Sequence, residues 1–349
     1  MRAVVLTDVE RIEVLDIEEP TATPTDVTIE VRAGGICGSD MHAYRGHHPF
    51  RKPPVVMGHE VAGRVIATGS EVTRVAVGDR VAVEPQIACG TCSSCLRGLA
   101  NLCRHARRPG LGWGGTFAER MTAPEHVVYG LGQDATYEAG ALVEPTAVAL
   151  RAVRRGGLQA GDRVAVLGVG PIGGLVARLC QIAGAGTLMV TDVKSFNLDL
   201  MRTLGVANAI DAGTVDLADA AHQLTDEAGF DIVFVTSPAP TSLNDAIKIL
   251  RPGGTVVQIA IHGEAIPFDA TGAVLGEIEV RASLTYTAVD FEIATTLINQ
   301  GVLDVRPFIT HRYALEDAST AFRDIEDGLD HVKVVLQVGD GEPEADRRL

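Results

Sequence analysis

Residues 163–173 read Arg163-Val164-Ala165-Val166-Leu167-Gly168-Val169-Gly170-Pro171-Ile172-Gly173, and this stretch decides the fold. The apolar run predicts a buried strand, and Pro171 predicts the first turn of a helix directly after it. Between them Gly168 permits a tight turn and Gly170 lets backbone approach a pyrophosphate, while Gly173 lets the helix pack closely on the strand. With Ile172, these residues aim the positive end of a helix at the phosphates of a dinucleotide. The same pattern also occurs in turns that hold no ligand. Here, however, Asp192 ends the next strand at nearly the distance expected of a carboxylate that accepts hydrogen bonds from an adenosine ribose. Such a carboxylate repels a 2′-phosphate, so NAD is favoured over NADP. Lys194, two residues on, is placed to soften that discrimination.

Outward from this turn the rhythm is strand–helix alternation. Strand-like runs at 163–167, 187–191, 231–235 and 255–261 alternate with helical segments at 171–183, 198–204, 215–228 and 243–250. That order predicts an α/β domain with a parallel sheet covered on both faces, over residues 147–286. Residues 1–146 read instead as short strands and Gly-containing turns; Val27, Ile29 and Val31, for example, alternate with polar residues. Residues 287–349, helical around 291–300 and extended at 332–336, are expected to rejoin the first domain, with a polar, frayed end at 339–349.

The chain has 349 residues and a net charge of −15, which argues against nucleic acid or an anionic membrane as its partner. Residues 1–14 lack an apolar run of signal-peptide length, and the nearly apolar stretch 164–177 is too short and Gly-rich to span a bilayer. A cytoplasmic location is the expectation. The six cysteines then read as metal ligands or buried thiols, not disulfides.

Four of them, Cys89-x2-Cys92-x2-Cys95-x7-Cys103, lie on one short loop. Four thiolates close a tetrahedral shell around zinc and leave no open position, which makes a stabilising site. An iron–sulfur cluster is the alternative occupant, though nothing else in the chain suggests electron transfer. Elsewhere Cys37 in Gly35-Ile36-Cys37-Gly38-Ser39-Asp40-Met41-His42, His59 and Glu60 in Gly58-His59-Glu60, and Glu144 before Pro145 offer a thiolate, an imidazole and carboxylates. Such a mixed set suits zinc with one position left for water or substrate. Singly, each of these residues is as readily core or surface.

These segments, with Gly63, Val65 and Gly78-Asp79-Arg80-Val81, resemble the zinc-containing medium-chain dehydrogenases over nearly the whole chain. Gly140-Ala141-Leu142-Val143-Glu144-Pro145 and Arg154-Arg155-Gly156-Gly157 look like the sorbitol (polyol) and butanediol branch. The resemblance implies a GroES-like catalytic domain, a Rossmann coenzyme domain and a C-terminal return. It makes Cys37 and His59 ligands of a catalytic zinc, with Glu60 a third ligand or a group that approaches the metal during turnover. Glu144 would bind that zinc directly or through its water, and Asp40 would orient the His59 ring. Ser39 would take the substrate proton and pass it, by way of the nicotinamide ribose, to His42 near the surface. Lys333 would face the cofactor phosphates. Asn197 stands where the polyol branch often carries an arginine near the adenine. Tyr44, Trp113 and Phe117 are candidate walls of the substrate pocket or ordinary packing, and Cys180 reads as core.

The function implied is reversible oxidation of a secondary alcohol, a vicinal diol or polyol, to the ketone, with two zinc ions per chain and NAD. Two carboxylates near the metal are expected to make the site anionic and to favour neutral, doubly oxygenated substrates. A dehydrogenase of an amino alcohol such as threonine, a zinc-free quinone reductase and a non-catalytic binding protein on the same scaffold are the alternatives. The resemblance suggests a homotetramer, with a homodimer as the other assembly.

Overall fold

The computed structural model describes residues 1–339. The expected frayed end beyond Gly339 lies outside the described residues. The chain forms two compact units: Met1–Glu144, Ile298–Gly301 and the chain from Ile309 onward make the first, and Pro145–Leu297 with Val302–Phe308 the second.

The first unit is built around the strand Asp26–Ile36, whose side chains alternate between buried and half-buried along most of its length. It pairs antiparallel with Glu60–Thr68, with Arg120–Pro124 and with Lys333–Gln337. The register sets Val334 opposite Ile36, and this fixes where the end of the chain meets the end of the central strand. Lys333–Gln337 also pairs parallel with Ile309–Ala314, while Arg80–Val83 and Val128–Gly130 extend the sheet on the other side. Inward-facing Val27, Ile29, Val31, Val61, Phe117 and Phe322 belong to the core of this unit. Their removal from water supplies its main driving force.

The second unit is a parallel six-stranded sheet. In chain order its strands are Arg163–Leu167, Thr187–Asp192, Asn208–Asp211, Phe230–Val235, Leu250–Gln258 and Glu279–Ala282, and across the sheet they lie 3-2-1-4-5-6. The order reverses between the first and fourth strands, the switch point at which doubly wound sheets bind dinucleotides. The helix Ala288–Asn299, which the sequence suggests belongs to the C-terminal return, contributes to this unit as far as Leu297. The buried Asp290 explains the placement. Its carboxylate takes a 2.5 Å hydrogen bond from Arg154 on the helix Val143–Gly156, so the two helices are tied together. Among the described residues no helix is long and apolar enough to cross a membrane.

Candidate metal centre and dinucleotide loop

Cys37 sits at the junction of the central strand and the short helix Gly38–Tyr44. Asp40 fixes that junction, because its Oδ2 accepts a 3.0 Å hydrogen bond from the Cys37 backbone N–H, as a capping residue does. Its other oxygen, Oδ1, lies 3.3 Å from His59 Nδ1 and 2.9 Å from Arg51 Nη1. Burial pushes the Asp40 carboxyl up, but the charges of His59 and Arg51 overcome it and hold the group at about 2. Burial also pulls the His59 imidazole down, yet Asp40 holds it well above its ordinary value. The carboxylate is therefore an ion-pair neighbour of this ring, at a distance just beyond a well-formed hydrogen bond.

Cys37, His59 and Glu60 each offer a ligand atom, and these atoms lie within 4.8 Å of one another. Glu60 follows His59 at the start of the strand Glu60–Thr68 and is fully buried. Its carboxylate fills the space over Gly35, where a Cβ would stand 2.0 Å from Oε2, so a larger residue there would push Glu60 from its present position. Glu144, in the first turn of the helix Val143–Gly156, is buried but falls outside that set of three. Its charge is nonetheless felt at Lys333.

Lys333 departs from expectation. Its Nζ donates to both Glu60 oxygens at 2.7 and 2.8 Å, with Ile36 O at 3.3 Å, and the residue is 2% exposed. Burial lowers the ammonium pKa, but the charges of Glu60 and Cys37 more than offset this and keep it protonated. The strand register accounts for the position, since one step beyond the Val334–Ile36 pair brings residue 333 level with Cys37. The ammonium is thus engaged by the metal-side carboxylate.

The four-cysteine loop is assembled in the same unit. Sγ–Sγ separations are 3.5 Å for Cys92–Cys95, 3.8 Å for Cys92–Cys103 and 4.0 Å for Cys89–Cys95. A tetrahedron with metal–sulfur bonds of ~2.3 Å has edges of ~3.8 Å, so the set fits zinc and is far too open for disulfides. Backbone N–H groups of Thr91 and Cys92 hold the Cys89 thiol down, while burial and the neighbouring sulfurs push the Cys95 thiol up, so a thiolate forms first at Cys89.

In the second unit, Gly168 has φ +89°, and Gly173 packs so tightly that a Cβ would lie 1.9 Å from Gly168 O. At Gly170, the N-cap of the helix Pro171–Ile182, a Cβ would meet nothing within 4 Å. This open cradle at a helix N-terminus fits a pyrophosphate. Asp192 is locked beside it: Oδ2 accepts from Val169 N at 2.8 Å and from Asn197 Nδ2 at 3.1 Å, and Oδ1 from Lys194 N at 2.9 Å. Asn197, buried, thus helps fix the orientation of the Asp192 carboxylate. The Lys194 side chain is exposed.

Residues 23–133 match the alcohol dehydrogenase GroES-like domain, and residues 171–300 match the zinc-binding dehydrogenase domain. A D-xylulose reductase A of Aspergillus niger is 34% identical over 87% of both chains. The sorbitol dehydrogenase of Bacillus subtilis is 31% identical over 92% of each. The chain belongs to the zinc-binding medium-chain dehydrogenases, in their polyol branch. The crystal structure of 2R,3R-butanediol dehydrogenase from Bacillus subtilis agrees with this dehydrogenase at a TM-score of 0.88 and 31% identity, covering 96% of this chain and 99% of that one.

Of this dehydrogenase's candidate pocket residues, Phe117 is fully buried in the core of the first unit. Tyr44 packs on Phe322 at 5.6 Å between ring centroids, and Trp113 donates its Nε1–H to Thr122 O. All three are accounted for by packing. Cys180 is wholly buried, and its thiol is pushed up by desolvation. Arg51 is the residue that sequence reading missed. Nothing in the spacing of His48-Pro49-Phe50-Arg51 marks it, because only the tertiary fold brings its guanidinium onto Asp40.

Proposed function

We propose that this dehydrogenase uses a catalytic zinc held by Cys37 and His59, and NAD, to oxidise a vicinal diol or polyol reversibly to the hydroxyketone. The juxtaposition of half-buried Cys37 with buried His59 and Glu60 carries the reading. Bound there, zinc would supply Lewis acidity toward the substrate oxygen. The chain's own groups do the rest. Asp40 holds the His59 ring in its ligating orientation. Ser39, half-buried in the helix Gly38–Tyr44, accepts the substrate hydroxyl proton, and exposed His42, three residues on, releases it to solvent. Glu60 stays in reserve against Lys333. Glu144 would hold that zinc directly or through its water. A second zinc in the four-cysteine loop would only hold that loop.

The polyol substrate rests on the family branch and on the names of the relatives, a D-xylulose reductase, a sorbitol dehydrogenase and a 2R,3R-butanediol dehydrogenase. NAD is the preferred cofactor because Asp192 is fixed by three donors with its carboxylate at the ribose end of the cradle. A reducing, cytoplasmic compartment suits the six free thiols. A homodimer or homotetramer is supported by the edge strand Glu279–Ala282 and the nearby exposed Val280, Val274 and Leu275.

Initial rates with 2,3-butanediol, sorbitol, xylitol, ethanol and L-threonine, each with NAD and NADP, test the reading. Highest kcat/KM on the diol or a sugar alcohol with NAD is expected. Preference for ethanol or threonine would refute the substrate assignment. Absence of zinc from the purified, active protein would refute the metal.

A further inference from the structure

We propose that Arg51 is a positioning residue for proton transfer, setting the direction in which the Ser39 hydroxyl passes a proton. This rests on the reading of Ser39 as the proton acceptor. Arg51 is 6% exposed and lies against the short helix that begins at Cys37. Its Nη1 is 3.3 Å from Ser39 Oγ and 2.9 Å from Asp40 Oδ1, and its Nε donates to Pro109 O at 3.2 Å. Three anchors on two nitrogens of the guanidinium fix it in place. A lysine ammonium on a flexible stem would not reach all three.

A guanidinium has donors and no acceptor, so the Arg51–Ser39 contact can run one way only: the arginine donates. A serine hydroxyl has one proton and two lone pairs. With one lone pair occupied by Arg51, the other is left for the substrate hydroxyl, and the Ser39 proton must point onward. In the transfer the substrate O–H bond breaks as a new Ser39 O–H bond forms. The original Ser39 O–H breaks in the same event, and that proton leaves toward His42 and solvent. The serine ends as it began.

The geometry adds an electrostatic consequence. Whenever Ser39 releases its proton slightly ahead of receiving one, negative charge accumulates on Oγ, 3.3 Å from a fixed positive group in a largely buried setting. Preorganised charge of this kind stabilises a transition state without reorganisation. Asp40 offsets part of that charge through its 2.9 Å contact with the same guanidinium, so what acts on Oγ is chiefly the directed N–H of Arg51.

A double-mutant cycle on the zinc-loaded enzyme, with 2,3-butanediol and NAD, tests this. Zinc content and thermal unfolding are recorded for each variant. Arg51→Lys is expected to lower kcat by ~10–100-fold, the size of one hydrogen bond to a charged donor, with KM within a few-fold. In the Ser39→Ala background the same change should lower kcat no further. A full additional loss in that background, or an unchanged kcat in the Arg51→Lys single variant, would overturn the proposal. If Ser39→Ala itself keeps wild-type kcat, the relay reading fails independently of Arg51. Should Arg51→Lys lose zinc or unfold at the assay temperature, Arg51→Gln, which keeps a donor without the charge, replaces it in the same cycle with the same criteria.

Discussion

Replacing Lys333 by Met is the perturbation whose outcome depends most directly on the geometry described above. The methionine keeps the length of the stem and removes the ammonium, leaving the fully buried Glu60 carboxylate without its bidentate partner at 2.7 and 2.8 Å. Breaking a buried pair in this way costs about 3–5 kcal/mol, because an uncompensated charge stays behind. For a chain of 349 residues an unfolding entropy of ~2 cal/mol/K per residue gives ~0.7 kcal/mol/K, so Tm falls by about 4–7 °C. Metal should modulate the loss. With zinc present Glu60 has a second cation within reach, since its oxygen belongs to the same 4.8 Å set as Cys37 and His59. Scanning calorimetry should therefore show a smaller drop for the zinc-loaded variant than for the chelator-treated one. The double change Lys333→Met with Glu60→Leu should recover most of the stability, as replacement of a buried pair by apolar groups commonly does. A single variant as stable as the parent after chelation, or a double variant no better than the single, would refute the buried-pair account.

Three further outcomes follow from other parts of the chain. Cys92→Ser opens the thiolate tetrahedron, so zinc measured by atomic emission should fall from about two to about one per chain and Tm should drop. Asp192→Ser removes the ribose acceptor and should raise the KM for NAD by ~10–100-fold, the value of a lost charged hydrogen bond, while that for NADP rises less. Glu84, 7% exposed, is pushed up by burial to about 7 despite a hydrogen bond from Tyr129. Its raised native pKa means that the carboxyl costs no stability below about 4.5, where both folded and unfolded forms are protonated. Between about 4.5 and 7 the unfolded form alone ionises, so stability drains away as pH rises, by about 3 kcal/mol in full. Glu84→Gln should hence raise Tm at pH 8 and give no gain at pH 4. An equal gain at both would contradict the burial argument.

What the sequence made legible follows physical rules. The strand Arg163–Leu167 is read with its observed bounds because it lies inside the sheet and is apolar on both faces. The two strands left unread, Asn208–Asp211 and Glu279–Ala282, are the two edges of that sheet. Their side chains are mostly half-buried or exposed, so no apolar run marks them. At the metal centre, ligand identities could be read because cysteine, histidine and glutamate carry chemistry in their names. Partner identities could not. Lys333 meets Glu60 across 273 positions of chain through a strand register that no local pattern encodes. Arg51 reaches Asp40 only once the loop before His59 has folded back on the short helix.

That missing information changes the electrostatic argument for substrate choice. Read as a list of ligands, Glu60 and Glu144 beside a thiolate make an anionic site. In the structure Asp40 is matched by Arg51 and Glu60 by Lys333, each through contacts of 2.9 Å or less. With those two pairs matched, the site carries less net negative charge than its count of carboxylates suggests, and a divalent cation would offset more of it. A site offset in this way has little net attraction for a carboxylate or phosphate on the substrate and little surplus of repulsion against one. Selectivity for a diol then has to come from directed hydrogen bonds. Of the two candidate carboxylates Glu60 is held by Lys333, so the test of a contact to a second hydroxyl falls on Glu144, buried and outside the tight ligand set. Glu144→Gln should accordingly penalise 2,3-butanediol more than 2-butanol in kcat/KM, since the amide is a weaker acceptor than the carboxylate. Equal penalties on the diol and the monoalcohol would assign Glu144 to the metal alone.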